Sequence, residues 1–358
     1  MQFKCGKGCQ PFQRLLQLKN SLLRLTTLYT LQHFEMHPVI QLNLANQYIA
    51  LNTATPAYKP VSMKKIWMWM KRIFFWIFIA HMIWFLIFIV QKFSVADFPV
   101  ANLKTKMLIV IAVALVVGLA YYFWLRHIEF VKKAAIVLRE VFFIAYVSST
   151  LYLLLGIIFN PLITLTQVGS ILQGYGLSRD YVSYDDMGTN IKLAVIGSED
   201  QQFPDHDGFD IKAIKLAMKY NKRHPNKVRG ASTISQQVAK NVFLWQGGGF
   251  IRKGIEVFFT FSIEGLWTKR TILERYLNVA EMGPGIFGVQ AAARKYFNKD
   301  AKNLTAAEAA QIAACLPNPK RFTVKPLSGY VAGRSGNIMR QMSNLAGDAD
   351  VQEIVGPH

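Results

Sequence analysis

Apolar residues gather in three long runs near the amino-terminal half of the chain, and beyond them the pattern becomes mixed. Residues 73–91, 107–125 and 141–159 are nearly free of charge. Each is about 19 residues long, against the roughly 20 that a helix needs to cross a hydrocarbon core. The pattern predicts three transmembrane helices within a membrane region at 63–160. A cleaved leader does not fit the first run, which begins beyond residue 60 and has no small-residue cleavage site after it. The alternative is that 107–125, with its Gly and Ala content, is a buried helix or hairpin. Two crossings would then put everything downstream on the opposite side.

From Ile191 onward, polar and apolar positions alternate with helical spacing, and no period-two stretch is long enough to demand a sheet. Ser198 before Glu199, Ser232 before a run ending at Asn241, and the capping box Thr305-Ala306-Ala307-Glu308 read as helix starts. Pro317 and Pro319 end the last of these helices. The expectation is a mainly α domain at 191–330, reached through a linker at 161–190 and followed by a tail at 331–358. Residues 1–62 are basic, with Glu35 their one acid, and have no clean period. They are expected to be a disordered cytoplasmic extension or sequence upstream of a natural start at Met63.

Composition agrees with a membrane protein, because 52% apolar and 13% aromatic residues in 358 are too many for one soluble domain. The formal net charge of +20 admits nucleic acid, anionic lipid or a phosphorylated substrate as partner, without choosing among them. Lys64, Lys65, Lys71 and Arg72 precede the first run, and Arg126, Lys132, Lys133 and Arg139 separate the second from the third. The intervening loop holds Lys92, Lys104, Lys106 and Asp97. That asymmetry predicts an inside amino terminus, and three crossings then put everything after residue 160 outside. Cys5, Cys9 and Cys315 imply no disulfide framework, and no His-x-x-His, Cys-x-x-Cys or Asp-rich loop supports a metal site.

Candidate chemistry lies in three strings: Glu199 to Gly208, Gly230 to Asn241, and Arg252-Lys253 with Glu256. Ser232, Gln236 and Lys240 recur every four residues and are predicted to share one polar helical face ending in a cation. Taken singly, each feature has an ordinary reading: a solvated face, an i,i+4 salt bridge from Arg252 to Glu256, a structural His206. Together they suit sugar transfer from a phosphate leaving group, which needs a carboxylate base and clustered cations.

The strings Glu-Asp-x-x-Phe-x-x-His-x-Gly at 199–208, Gly-x-Ser-Thr-Ile-Ser-Gln-Gln-x-x-Lys-Asn at 230–241, Arg-Lys-x-x-Glu at 252–256 and Lys-x-x-Ile-Leu-x-x-Tyr-Leu-Asn at 269–278 resemble, in order, the motifs of the peptidoglycan glycosyltransferase family. The continuation through Gly283, Gly288, Tyr296-Phe297 and Leu316-Pro317-Asn318-Pro319 resembles its monofunctional branch. The resemblance covers about residues 160–325. Three features depart from it: two extra apolar runs where the family has a single anchor, Ser235 where Thr is commoner, and Gly248 where many members have a further Arg.

The resemblance implies a lysozyme-like helical glycosyltransferase domain that polymerises lipid II with inversion, forming β-1,4 bonds and releasing undecaprenyl pyrophosphate. It implies Glu199 as general base and Glu256 as second carboxylate. Lys240, Arg252, Lys253, Ser232, Gln236, Asn241, Asp200 and His206 are the expected substrate contacts. No cofactor is required, with assistance by Mg or Mn left open. The implied partners are lipid II, the lipid-linked glycan, membrane lipid and other cell-wall synthesis proteins, not nucleic acid. The implied location is the bacterial inner membrane, multi-pass, with the catalytic domain on the periplasmic side. The competing reading is a lytic, lysozyme-like enzyme that cleaves peptidoglycan. A bifunctional penicillin-binding protein is excluded, because Ser62-Met63-Lys64-Lys65 and Ser335-Gly336-Asn337 flank the whole domain and no Lys-Thr-Gly follows.

Overall fold

The computed structural model describes residues 62–94 and 103–356, with Leu42, Asn43 and Asn46; the expectations for 1–62 otherwise lie outside the described residues. The chain divides into two compact units, Met1–Arg72 and Ile73–His358, and all the packing below lies within the second.

The apolar runs become helices α1 (Met63–Ser94), α2 (Leu103–Phe123) and α3 (Glu129–Leu155). Among the described residues α1 and α3 are long and apolar enough to span a bilayer, so the chain carries a membrane anchor. Several side chains of α2 lie outside the described set. The third helix starts at Glu129 rather than 141, so Lys132, Lys133 and Arg139 ride on it rather than in a loop. Long basic side chains permit this, since their stems lie along apolar surface while the charged heads reach water. The helix also stops short of 159. At Gly156 the chain lies against the Trp267 ring with no room for a Cβ, and the Trp267 indole donates to Leu153 O at 2.9 Å.

Helices α1 and α3 run parallel. Phe74 meets Phe143 edge-on with ring centroids 6.1 Å apart, Phe78 meets Phe142 and Tyr146 at 5.3 and 5.0 Å, and His81 Nδ1 lies 3.2 Å from the Tyr146 hydroxyl. Partners thus advance together along both chains.

The remaining elements are α4 (Leu165–Leu172), β1 (Ser178–Arg179), α5 (Thr189–Glu199), α6 (Ile211–Arg223), α7 (Ile234–Phe243), α8 (Phe250–Leu266), α9 (Lys269–Val279), β2 (Glu281–Gly283), β3 (Ile286–Phe287), α10 (Val289–Phe297), α11 (Ala306–Cys315), α12 (Gly329–Leu345) and α13 (Ala349–Val355). The domain is mainly α, as expected. Its one small sheet has the order β1-β3-β2, with Ser178 opposite Ile286 in a parallel pair and Glu281 opposite Phe287 in an antiparallel one. At the centre lies α5, buried from Ile191 to Gly197 and flanked by α11 and α12. The alanines of α11, buried from Ala309 to Ala314 except Gln311, keep that helix thin enough to approach closely.

Several expected boundaries move. Ser198 starts no helix, because α5 ends at Glu199. The expected linker 161–190 contains α4, which has its own capping box between Thr164 and Gln167, and contributes Tyr184 and Met187 to the core. The expected tail 331–358 forms α12 and α13, whose Val331, Ile338, Met342, Val351, Ile354 and Val355 join the same core. The apolar spacing in both segments is helical, and burying it extends the core beyond the motif-bearing stretch.

Candidate active site

Because α5 is buried along its length, its last residue emerges at a cleft wall. Glu199 faces a cleft of about 770 Å³ between the Arg229–Thr233 segment and α12. Its Oε2 accepts a hydrogen bond from Gln237 Nε2 at 2.7 Å, and Gln237 Oε1 accepts one from the Tyr276 hydroxyl at 3.2 Å. Burial pushes the Glu199 carboxyl above its ordinary value, while the Gln237 bond, Arg334 and Lys240 pull the other way. A carboxylate stripped of water in this way holds a proton more readily than a solvated one, which is what a base needs.

Asp200 and His206 face each other. His206 Nε2 lies 2.9 and 3.1 Å from the two Asp200 oxygens, and the Gly208 amide donates to His206 Nδ1 at 3.1 Å, which assigns the ring proton to Nε2. Asp200 Oδ2 also accepts from the Ile234 amide at 2.9 Å, satisfying a free donor at the start of α7. The pair therefore ties the first motif to the helix of the second.

On the far side of Gln237, a cleft of about 330 Å³ is lined by Lys240, Asn241, Gln246, Glu281 and Lys320, with Gln237 and Pro317 shared between the two clefts. Close to Lys240, outside the cleft lining, stand two further cations and a carboxylate. Glu256, 3% exposed, accepts from Arg252 at 2.9 Å and from Lys253. Its charge is thus fully engaged. Lys240 has no carboxylate within salt-bridge reach among the described residues, and burial lowers its pKa even with Glu256 nearby. Arg252 Nε is buried without a hydrogen-bond partner. Lys240, Lys320, Arg252 and Lys253 outnumber Glu256 and Glu281, which leaves the region net positive with donors unused, the electrostatics of an anion site.

Not every predicted residue lies as the spacing suggested. Thr233, not Ser232, caps α7, and Gln236 turns back to accept from the Thr233 amide at 3.1 Å. The expected stripe of Ser232, Gln236 and Lys240 does not form; Ser232 lines the larger cleft from outside the helix, and Gln237 takes the place facing the carboxylate. Sequence reasoning also missed Arg334 on α12, which donates to Ser198 O at 3.1 Å and lines the cleft beside Glu199. Missed too was Glu264, which accepts from Ser235 and from Lys269 at 2.9 Å, while Lys269 also donates to His206 O at 2.5 Å. Gln237 could have been selected from the sequence only with Thr233 rather than Ser232 as the helix cap.

A half-buried carboxylate on the wall of one cleft, with a second cleft lined by Lys240 and Lys320 across Gln237, on a helical domain beside long apolar helices, is an arrangement able to move a sugar off an anionic leaving group. Comparison with known proteins agrees: the Transglycosylase family profile matches residues 166–343. A biosynthetic peptidoglycan transglycosylase of Pectobacterium atrosepticum is 49% identical over 206 residues, 57% of this chain and 84% of its own length. That of Yersinia pseudotuberculosis is 51% identical, over 57% of this chain and 86% of its own length. This chain belongs to the transglycosylase family of peptidoglycan glycosyltransferases. It polymerises glycan, and the lytic alternative is set aside.

Proposed function

We propose that the chain elongates peptidoglycan strands from lipid II at the outer surface of the bacterial inner membrane, with Glu199 as general base. The observation that carries this reading is the seating of Glu199 on Gln237, which with Pro317 lines both clefts. In the larger cleft Glu199 takes the proton of the acceptor's sugar hydroxyl. The freed oxygen attacks the donor's anomeric carbon from the face opposite the phosphate, the carbon–oxygen bond to phosphate breaks, and configuration inverts. The departing pyrophosphate carries its charge to Lys240, Arg252 and Lys253, with Asn241 beside them. Glu256 holds Arg252 and Lys253 in place. Asp200 and His206 position the first motif, and Gln236 positions α7, without touching the reacting atoms.

The parallel course of α1 and α3 supports a three-crossing topology, because a chain leaving α1 must return before it can enter α3 in the same direction. Helix α2, at 21 residues and about 1.5 Å per residue, is long enough for that return. Incubating the detergent-solubilised full chain with labelled lipid II tests the function. Muramidase-sensitive polymer is expected, and its absence under conditions where the protein is folded overturns the reading.

A further inference from the structure

Helix α1 lies wholly outside residues 166–343, and one membrane helix is enough to hold a domain at a bilayer, a task that α3 meets by running directly into the domain. Yet α1 is built to mate with protein. Phe74, Phe78, His81, Phe85, Phe88 and Lys92 recur at alternating four- and three-residue steps, a single seam along one face. All six are partly buried, while Ile73, Ile77 and Ile87 on the other side of the helix stay exposed.

The lower part of the seam packs on α3. Its upper part packs on α8 and on the loop of the first motif. His81 bridges the two, with Nδ1 3.2 Å from the Tyr146 hydroxyl and Nε2 3.1 Å from Ser262 Oγ on α8. A polar group inside an apolar layer is costly unless it is partnered, so this junction specifies one mating geometry. Phe85 lies 5.6 Å from Phe258 and 5.3 Å from Phe261, and Trp84 lies 4.2 Å from Phe261. Trp84 also covers Gly265, where no Cβ would fit. Phe88 reaches Phe209 at 5.8 Å, and Lys92 pairs with Asp207 at 2.7 Å.

From Lys92 the contacts continue without a gap to the base. Asp207 is the neighbour of His206, His206 bonds Asp200, and Asp200 adjoins Glu199. Gly208, at φ 83°, is wedged against α8, where an added Cβ would lie 2.8 Å from Thr260 Cγ2. In the Lys92–Asp207 pair the lysine is partly buried and the aspartate exposed, 33% and 74%, so the pair contributes little by itself. The aromatic packing supplies the holding energy, and the ion pair sets the register.

We propose that α1 is a positioning element of the active site, in which Lys92 at Asp207 and Phe88 at Phe209 hold the loop Asp200–Phe209 directly, Trp84 holds α8 behind Gly208, and together they fix the Glu199 carboxylate. The inference rests on the reading of Glu199 as base.

The test uses the full chain in lipid nanodiscs and compares wild type, Lys92→Arg and the triple variant Trp84→Ala/Phe88→Ala/Lys92→Ala. Two readouts are taken: hydrogen exchange over residues 200–208, and kcat and KM for lipid II. In the triple variant exchange of that loop is expected to accelerate while the α5 and α11 amides keep their protection, which shows that the domain is folded. Its kcat is expected to fall between about tenfold and 100-fold, the scale of a small misplacement of a catalytic group, with KM nearly unchanged. Lys92→Arg is expected to retain both properties. Wild-type kcat in the triple variant overturns the proposal, as does a reduced kcat with unchanged exchange at 200–208. Absence of polymer from the wild type would overturn the enzymatic reading alone, because the exchange comparison does not depend on turnover.

Discussion

Gln237 donates to Glu199 Oε2 at 2.7 Å, so the carboxylate of the first motif is aimed by the same helix that carries Lys240 one turn further on. In the proposed mechanism, base and leaving-group cation are therefore positioned by one rigid rod, and a shift of α7 would displace both. Gln237→Ala is expected to lower kcat by roughly tenfold to 100-fold with little change in melting temperature. A single-turnover assay beside thermal unfolding checks it.

Glu199→Gln should abolish transfer, on the order of 10²- to 10⁴-fold, while leaving the fold intact. It should also stabilise the protein at neutral pH. Burial raises the folded-state value above the ordinary 4.5, so the wild type is most favoured below 4.5 and loses stability as pH rises through the window up to the raised value. The amide has no such window. Melting curves from pH 4 to 8 should show the variant's advantage growing with pH, and kcat/KM of the wild type should fall on its acid side as Glu199 takes up a proton.

The cations should separate into two kinds. Arg252→Gln leaves the buried Glu256 with one partner fewer and should cost stability, up to about 3 kcal/mol, as well as activity. Lys240 has no paired carboxylate, so Lys240→Gln should leave stability unchanged or improved while transfer falls roughly 100-fold or more. Denaturant unfolding and polymerisation rates on the same samples distinguish these patterns. Equal stability losses at both positions would count against the anion site.

Gly288 sits at φ 85°, where an added Cβ would lie 2.6 Å from Asn278 O, a backbone atom that cannot move aside. Gly288→Ala should destabilise the domain by more than about 1 kcal/mol and lower its melting temperature by several degrees. Asn278 also accepts from the Val182 amide at 3.1 Å, so the damage should spread to the segment before α5, where hydrogen exchange can follow it.

Reporter fusions in the turn at Leu125–His127 should read cytoplasmic, and fusions after Asn160 should read external. An inside reading at Asn160 would count against three crossings.

The apolar runs, the mainly α domain and the ordered motifs were all legible in the chain, because each rests on local spacing or on residue order. Register was not. The four-residue step from Ser232 selects Gln236, but Thr233 caps the helix and Gln236 is spent on that cap, which rotates Gln237 to the carboxylate. Arg334 escaped notice because its approach to Ser198 depends on how α12 crosses α5, a long-range fact with no local signal. The helical burial of Val331, Ile338 and Met342 was readable, and the absence of a recognised motif there hid it.

The shared direction of α1 and α3 makes α2 indispensable to the seam. A chain lacking α2 alone would bring α1 to α3 in the opposite direction, and Lys92 would then lie at the end of the helix pair away from Asp207.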